Sequence, residues 1–364
     1  MNSEYQEKEK AVILDMNFKN LREQVKDAFN KARITSFIQN SREIYIHVPV
    51  GATFFKEQAP IEGTYLNVKL ADAIISACSG KKITIYETPA TAHRNIRNVF
   101  EKLGYNELTE KYSNVQLLYF EEDSFENEDV VSLDYGFDYP PLNLPSFLFD
   151  KENIIISFSN PKAPFSENVI GFNGLPFSLS GKALIMGSIL FSKKNLLHLA
   201  FSDLGIGLQG FIVDALDKIH KAGVTCVGVN GGRFAGVMKG NVKVSPVDWN
   251  ILTISKNLAV ADLITASLMG FKPQEIEFFL NLNQKGLSPA DPSNVEVIEI
   301  GSGRLRLENQ LKSENLFLPS GTPIKTRQWI FGLLGQISPK DRLPLMSRII
   351  SSIIRYKFSK KKSN

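Results

Sequence analysis

Asp262 is a lone acid in an apolar helical stretch, with Leu258-Ala259-Val260-Ala261 before it and Leu263-Ile264 after it. Wherever that helix packs, the carboxylate needs a hydrogen-bonding or cationic partner, because burying bare charge is expensive. That makes Asp262 a candidate to move a proton. Two lysines join it as candidates: Lys182, in the apolar run Gly181-Lys182-Ala183-Leu184, and Lys162, behind Asn160-Pro161 in a long loop. A lysine held partly out of water can bind an anion, or act as a base once desolvation lowers its pKa. The plainer reading is a lysine whose stem lies along the surface with its head in water. The expected partner of Lys182 is Asp262.

Asn230-Gly231-Gly232-Arg233 opens a glycine-rich stretch that ends at Lys239-Gly240. As a loop, its successive N–H groups would form a nest for phosphate or carboxylate, with Arg233 as a bidentate clamp. An ordinary turn or hairpin is the equal alternative. Gly205-Ile206-Gly207-Leu208-Gln209-Gly210 has the spacing of a dinucleotide fingerprint. The run before it is a poor strand, however, and the next strand ends in Asn230 where an acid should meet a ribose, so a loop before a helix is favoured. Other chemistries lack their motifs. The four histidines show no metal-ligand spacing, Gly-x-Ser-x-Gly is absent, and Cys78 and Cys226 are too few for a zinc or iron–sulfur site. The residues therefore specify no metal and leave any cofactor unknown.

The elements that must position these groups alternate. Residues 17–38 read as an amphipathic helix, Glu43–Val50 as a strand, 65–77 as a helix, Lys82–Glu87 as a strand, 93–103 as a helix and Val115–Phe120 as a strand. Such β-α-β alternation implies a parallel sheet whose strand carboxyl ends collect ligands, and those ends carry His47, Glu87, Thr88 and His93. Residues 121–145 are acidic, then Tyr- and Pro-rich, and read as a connector. Beyond them Asn153–Phe158 and Val224–Val229 read as strands, 180–191 and 211–221 as helices. Leu252–Phe271 runs from strand into helix, and 294–300 reads as a further strand. The expectation is an α/β protein with two lobes of mixed or mainly parallel sheet, flanked by helices, with a cleft between them. The expected divisions are a helical segment over 1–40, lobes over 41–150 and 151–301, and an extension over 302–364.

Composition is that of a folded protein, with 43% hydrophobic and 22% charged residues over 364 positions. The net charge of +4 comes from the end of the chain. Residues 340–364 hold eight Lys or Arg against one acid, leaving −3 for the rest, so no basic nucleic-acid surface is expected. Within that end, Leu343, Met346, Ile349, Ile350, Ile353 and Ile354 fall at helical spacing among basic residues. A helix of this kind either docks on the body or lies on an anionic membrane surface. With no secretory signal and no apolar run long enough to span a bilayer, a cytoplasmic location is the default.

The order of these pieces resembles domain-of-unknown-function family 362. The likeness is carried by Asn160-Pro161-Lys162 after a buried strand, Ser180-Gly181-Lys182-Ala183-Leu184 with Gly187, Phe211–Leu216, Ala259-Val260-Ala261-Asp262 and Lys285-Gly286-Leu287. The resemblance also implies a role for His198, which stands where the family usually has a histidine. Family members often carry a cysteine-rich ferredoxin-like segment, and this chain does not. Ala163-Pro164-Phe165-Ser166 replaces the usual Lys-Thr-His, Asn257-Leu258 replaces Asp-Pro, and Asn230 replaces a frequent Asp. The expected function is a biosynthetic or accessory enzyme acting on a small anionic molecule without an iron–sulfur cluster. In that reading Asp262, His198 and Lys182 are catalytic, and Lys162, Arg233, Asn230 and Glu87 bind substrate. The alternative is a non-catalytic protein that works through partner or peripheral membrane contact by its basic end.

Overall fold

A computed structural model of the protein describes residues 8–50, 63–78, 80–88, 96–120, 129–133, 142–163, 177–190, 207–239 and 243–301. His198, the first residues of the 205–210 glycine stretch and the basic extension over 302–364 lie outside the described residues.

In chain order the elements are β1 (Lys10–Asp15), α1 (Leu21–Lys31), α2 (Ile34–Asn40), β2 (Glu43–His47), α3 (Val68–Ala77), β3 (Lys82–Glu87), α4 (Ile96–Lys102), α5 (Asn106–Lys111) and β4 (Val115–Tyr119). There follow β5 (Val130–Leu133), β6 (Leu142–Pro145), β7 (Asn153–Ser159), β8 (Lys162–Ala163), α6 (Ser180–Ser188) and α7 (Gly207–Lys221). The chain continues through β9 (Thr225–Lys239), β10 (Lys243–Ser255), α8 (Leu258–Leu268), α9 (Glu277–Gln284) and β11 (Glu296–Ile300).

One mixed sheet runs in the order β11-β1-β10-β9-β7-β2-β3-β4, with β8 added beside β9. The pairs β9–β7, β7–β2, β2–β3 and β3–β4 are parallel, whereas β10 is antiparallel to both of its neighbours. The α/β class with a mixed sheet flanked by helices is thus what the chain forms. Strands expected in two separate lobes share this sheet, because β2 pairs directly with β7.

Local sequence explains most elements. In α1, Leu21, Val25, Ala28 and Phe29 are buried at helical spacing, leaving a polar face to water. All eleven residues of α8 are buried, as an all-round apolar helix requires, and the Asn257 side chain caps it by accepting from Ala259 N. The core has two layers. One contains α1 to α5 against Ile44, Ile46, Ile83 and Ile85; the other contains α6 to α9 against Tyr86 and Ile155.

Four features depart from the sequence reading. The segment over 1–40 contains β1 as well as helices, and β1 sits between β10 and β11. The 121–145 connector contains the antiparallel pair β5–β6. The stretch from Asn230 to Lys239 is strand, not a loop: Gly231 and Gly232, both at φ +141°, pair with Leu252 and Ile251 of β10, and the register then shifts at a bulge in β10 between Asp248 and Ile251, where Asn250 takes φ +56°. A Cβ on Gly231 would lie 1.9 Å from Ile251 O, so only glycine fits there. Finally, Gly207 and Gly210 lie inside α7, so the second half of the fingerprint-like stretch is the start of a helix.

Candidate functional site

Three parallel strands, β2, β3 and β7, end side by side at the carboxyl edge of the sheet, and β9 runs on past them. Across β3, β2, β7 and β9, the register aligns Tyr86, His47, Ser157 and Gly228 in one row. Helix α6 lies over this row. At its first turn Ser157 Oγ donates to Ser180 O at 2.8 Å, and at its last turn the Ser188 and Tyr86 hydroxyls are 3.1 Å apart. Small residues permit the close approach: a Cβ on Gly228 would meet Ala261 Cβ at 2.6 Å and Ser180 Oγ at 3.0 Å. At the far end, a Cβ on Gly187 would fall 1.8 Å from His47 Nε2, so the imidazole occupies the space left by the missing side chain. The peptide is tied there by Thr88 N donating to Gly187 O at 3.0 Å.

Asp262 is 1% exposed and holds the start of α6. Its Oδ1 accepts from Ser180 N at 2.9 Å, from Ser180 Oγ at 2.5 Å and from Asn230 Nδ2 at 2.8 Å, while Oδ2 accepts from Gly181 N at 2.9 Å. A carboxylate at a helix N-terminus is favoured by the dipole and by the unpaired N–H groups there. Desolvation nevertheless outweighs these bonds and pushes the carboxyl up to about 6. Asn230, fully buried, completes the clamp by accepting from Ser180 N at 2.9 Å. The ammonium expected opposite Asp262 is not there; backbone and amide groups fill that place.

The neighbouring charge felt by Lys182 is instead that of the other candidate lysine. Lys162, on β8, is fixed by a two-way backbone bridge with Ser178 and points its ammonium toward Thr64 O at 3.5 Å. Both lysines are half-buried, and desolvation lowers each to about 8. The nearby Glu87 charge partly offsets this at Lys162, and the Lys162 charge adds to it at Lys182. Neither ammonium forms an ion pair with a described residue. Glu87, 4% exposed at the end of β3, accepts from Thr88 N through Oε1 and holds Oε2 3.4 Å from His47 Nε2.

Of the residues singled out from the sequence, the fold brings Lys162, Lys182 and Glu87 within electrostatic reach at this edge, with Asp262 and Asn230 anchoring the helix that carries Lys182. Arg233 is exposed on β9, its guanidinium 5.0 Å from the centre of the Phe234 ring. His47 received no role from the sequence beyond its place at a strand end, and only the pairing register shows it beside Glu87 and Gly187. Among the described residues, no group of three or more His, Cys, Asp or Glu side chains could hold a metal ion, and no helix is long and apolar enough to cross a membrane.

A cavity of about 270 Å³ opens at the opposite edge, lined by Phe37, His220, Cys226, Lys256, Asn257 and Leu258. Some of its groups are engaged elsewhere. Asn257 caps α8 and donates to Leu287 O, Lys256 lies 5.8 Å from the Phe37 ring centre, and burial pushes the Cys226 thiol up to about 12.

None of the curated proteins matches this chain. Among solved structures, the lactate racemase apoprotein from Thermoanaerobacterium thermosaccharolyticum aligns over 91% of each chain at 10% identity, with a TM-score of 0.39. At that score the likeness carries no argument about fold or chemistry. The family model described as Domain of unknown function (DUF362) matches residues 53–267, which run from just after β2 into α8 and take in Glu87, both lysines, Asn230 and Asp262. Since that match spans more than half of the chain, the protein belongs to the DUF362 family.

Proposed function

We propose that the protein binds a small anionic molecule at the carboxyl edge of its parallel strands and acts on it as an enzyme or accessory biosynthetic protein. One observation carries this reading. Two half-buried lysines, Lys162 and Lys182, sit within electrostatic reach of one another, and neither is paired with a described acid. Like charges are not placed together out of water to stabilise a fold, because both desolvation and repulsion oppose it. An arriving carboxylate or phosphate group relieves both costs. The site also stands where open α/β sheets gather ligands, beyond the strand ends. Asp262 and Asn230 serve it indirectly, by anchoring the first turn of α6. Arg233 is an exposed residue of β9 and is assigned no contact.

The test is calorimetric titration of the full chain with pyruvate and with phosphonoacetone, a small carboxylate and a small phosphonate, together with mass spectrometry of any molecule released on denaturation. Lys162→Met and Lys182→Met should each weaken anion binding at least tenfold, about 1.4 kcal/mol. Melting temperature should hold or rise, because an unpaired, desolvated charge is removed. Binding that survives both substitutions would refute the reading, as would a fall in melting temperature matching the loss of affinity.

A further inference from the structure

Resting on that anion-site reading, we infer that His47 is the group that moves a proton in this site and that Glu87 is its positioning residue. His47 closes β2, is 1% exposed, and both of its ring nitrogens are buried without a hydrogen bond. Leaving a buried polar atom unpaired is costly, native structures rarely keep one, and a catalytic role is one of the reasons they do. The ring is also held in place. Gly187 leaves no room for a side chain at 1.8 Å from Nε2, the Tyr86 ring packs edge-on at 5.6 Å, and Thr88 N pins the Gly187 peptide.

Glu87 Oε2 lies 3.4 Å from Nε2, and its other oxygen is fixed by Thr88 N. A carboxylate beside one imidazole nitrogen sets the ring's orientation and compensates the imidazolium when it forms. That leaves Nδ1 for the ligand. Its lone pair takes a proton from an acidic C–H of the bound anion. The electron pair of that bond stays on the ligand, where the positive charge of Lys162 and Lys182 offsets it, and the imidazolium then returns the proton. Nothing is oxidised or reduced, and no co-reactant is required. The ligand class is accordingly a small anion with an acidic C–H next to an electron-withdrawing group.

The experiment follows deuterium incorporation by proton NMR when the full chain is incubated with pyruvate, or separately with phosphonoacetone, in deuterated buffer. The wild type should accelerate exchange of at least one probe above the protein-free rate. The substitution His47→Gln should reduce that acceleration about 100-fold or more, the usual scale for general acid–base catalysis, with probe affinity unchanged within about twofold. Glu87→Gln keeps the oxygen that Thr88 N requires; it should give a smaller loss and shift the pH profile of exchange, which a purely structural role would not do. Gly187→Ala keeps the imidazole but displaces it, and should also slow exchange. Melting curves confirm that each variant folds. If neither probe binds the wild type, the anion-site reading fails and the proton role with it. If a probe binds without accelerated exchange, or exchange survives His47→Gln, the proton role alone is overturned.

Discussion

A carboxylate that accepts four hydrogen bonds while 1% exposed belongs to the frame of this molecule, and Asp262 is that residue. Replacing it by alanine strands the Gly181 N–H and the Ser180 hydroxyl in the core and leaves the Asn230 amide only Ser180 Oγ at 3.4 Å, while Ser180 N keeps Asn230 Oδ1. At about 1–3 kcal/mol for each buried donor left unpaired, Asp262→Ala should lower unfolding free energy by roughly 3 kcal/mol or more, measured by urea denaturation. The pH dependence of that difference has a definite sign. With the folded-state carboxyl raised to about 6 from 3.8, the folded protein binds the proton more tightly than the unfolded chain does. Stability from this group is therefore greatest at low pH and declines as pH rises from about 4 to about 6. The gap between wild type and Asp262→Ala should narrow over that interval; a gap independent of pH would show that the carboxyl is not perturbed. The apolar surroundings of Asp262 announced a buried acid in need of partners. That those partners are the first N–H groups of a helix 82 residues earlier in the chain was invisible until the two segments met.

Helix α6 is the element on which the site depends. Both of its ends are set by tertiary contacts: the clamp from Asp262 and Asn230 at Ser180, and the Gly187–His47 contact at the other end. Between them the helix is seated on Gly228 and Ser157, whose small side chains let it lie close to the sheet. Gly228→Ala should push α6 and α8 away from β9. Overpacking a core costs about 1–3 kcal/mol, and the loss should appear as lower melting temperature together with faster amide exchange in α6 than in α1. An equal effect on both helices would mean that the strain spreads through the whole sheet.

At the scale of the whole molecule, one sheet organises everything. β1, near the start of the described chain, is enclosed by β10 on one side and β11 on the other. The second partner is added only at Glu296–Ile300, so the sheet is completed late in sequence. A chain ended at residue 292 would leave β1, a fully apolar strand over Ala11–Leu14, as an open edge. It should melt lower and associate at micromolar concentration by light scattering, while the wild type does not, because an exposed flat apolar edge is a template for pairing. Unchanged melting and no association would show that β11 contributes little.

Alternating helix and strand periodicity determined the α/β class and placed β2, β3, β4 and β7, because those strands read as buried runs on their own. The family likeness likewise rested on local motifs, and it picked out Lys162, Lys182 and Asp262. Tertiary structure alone decided that the two sets of strands form a single sheet, that Asn230–Lys239 continues as strand, and that the two lysines join His47 and Glu87 at one edge. Those outcomes depend on which strand pairs with which, and in what register. Such pairing is a property of surfaces brought together by folding, so no window of neighbouring residues contains it.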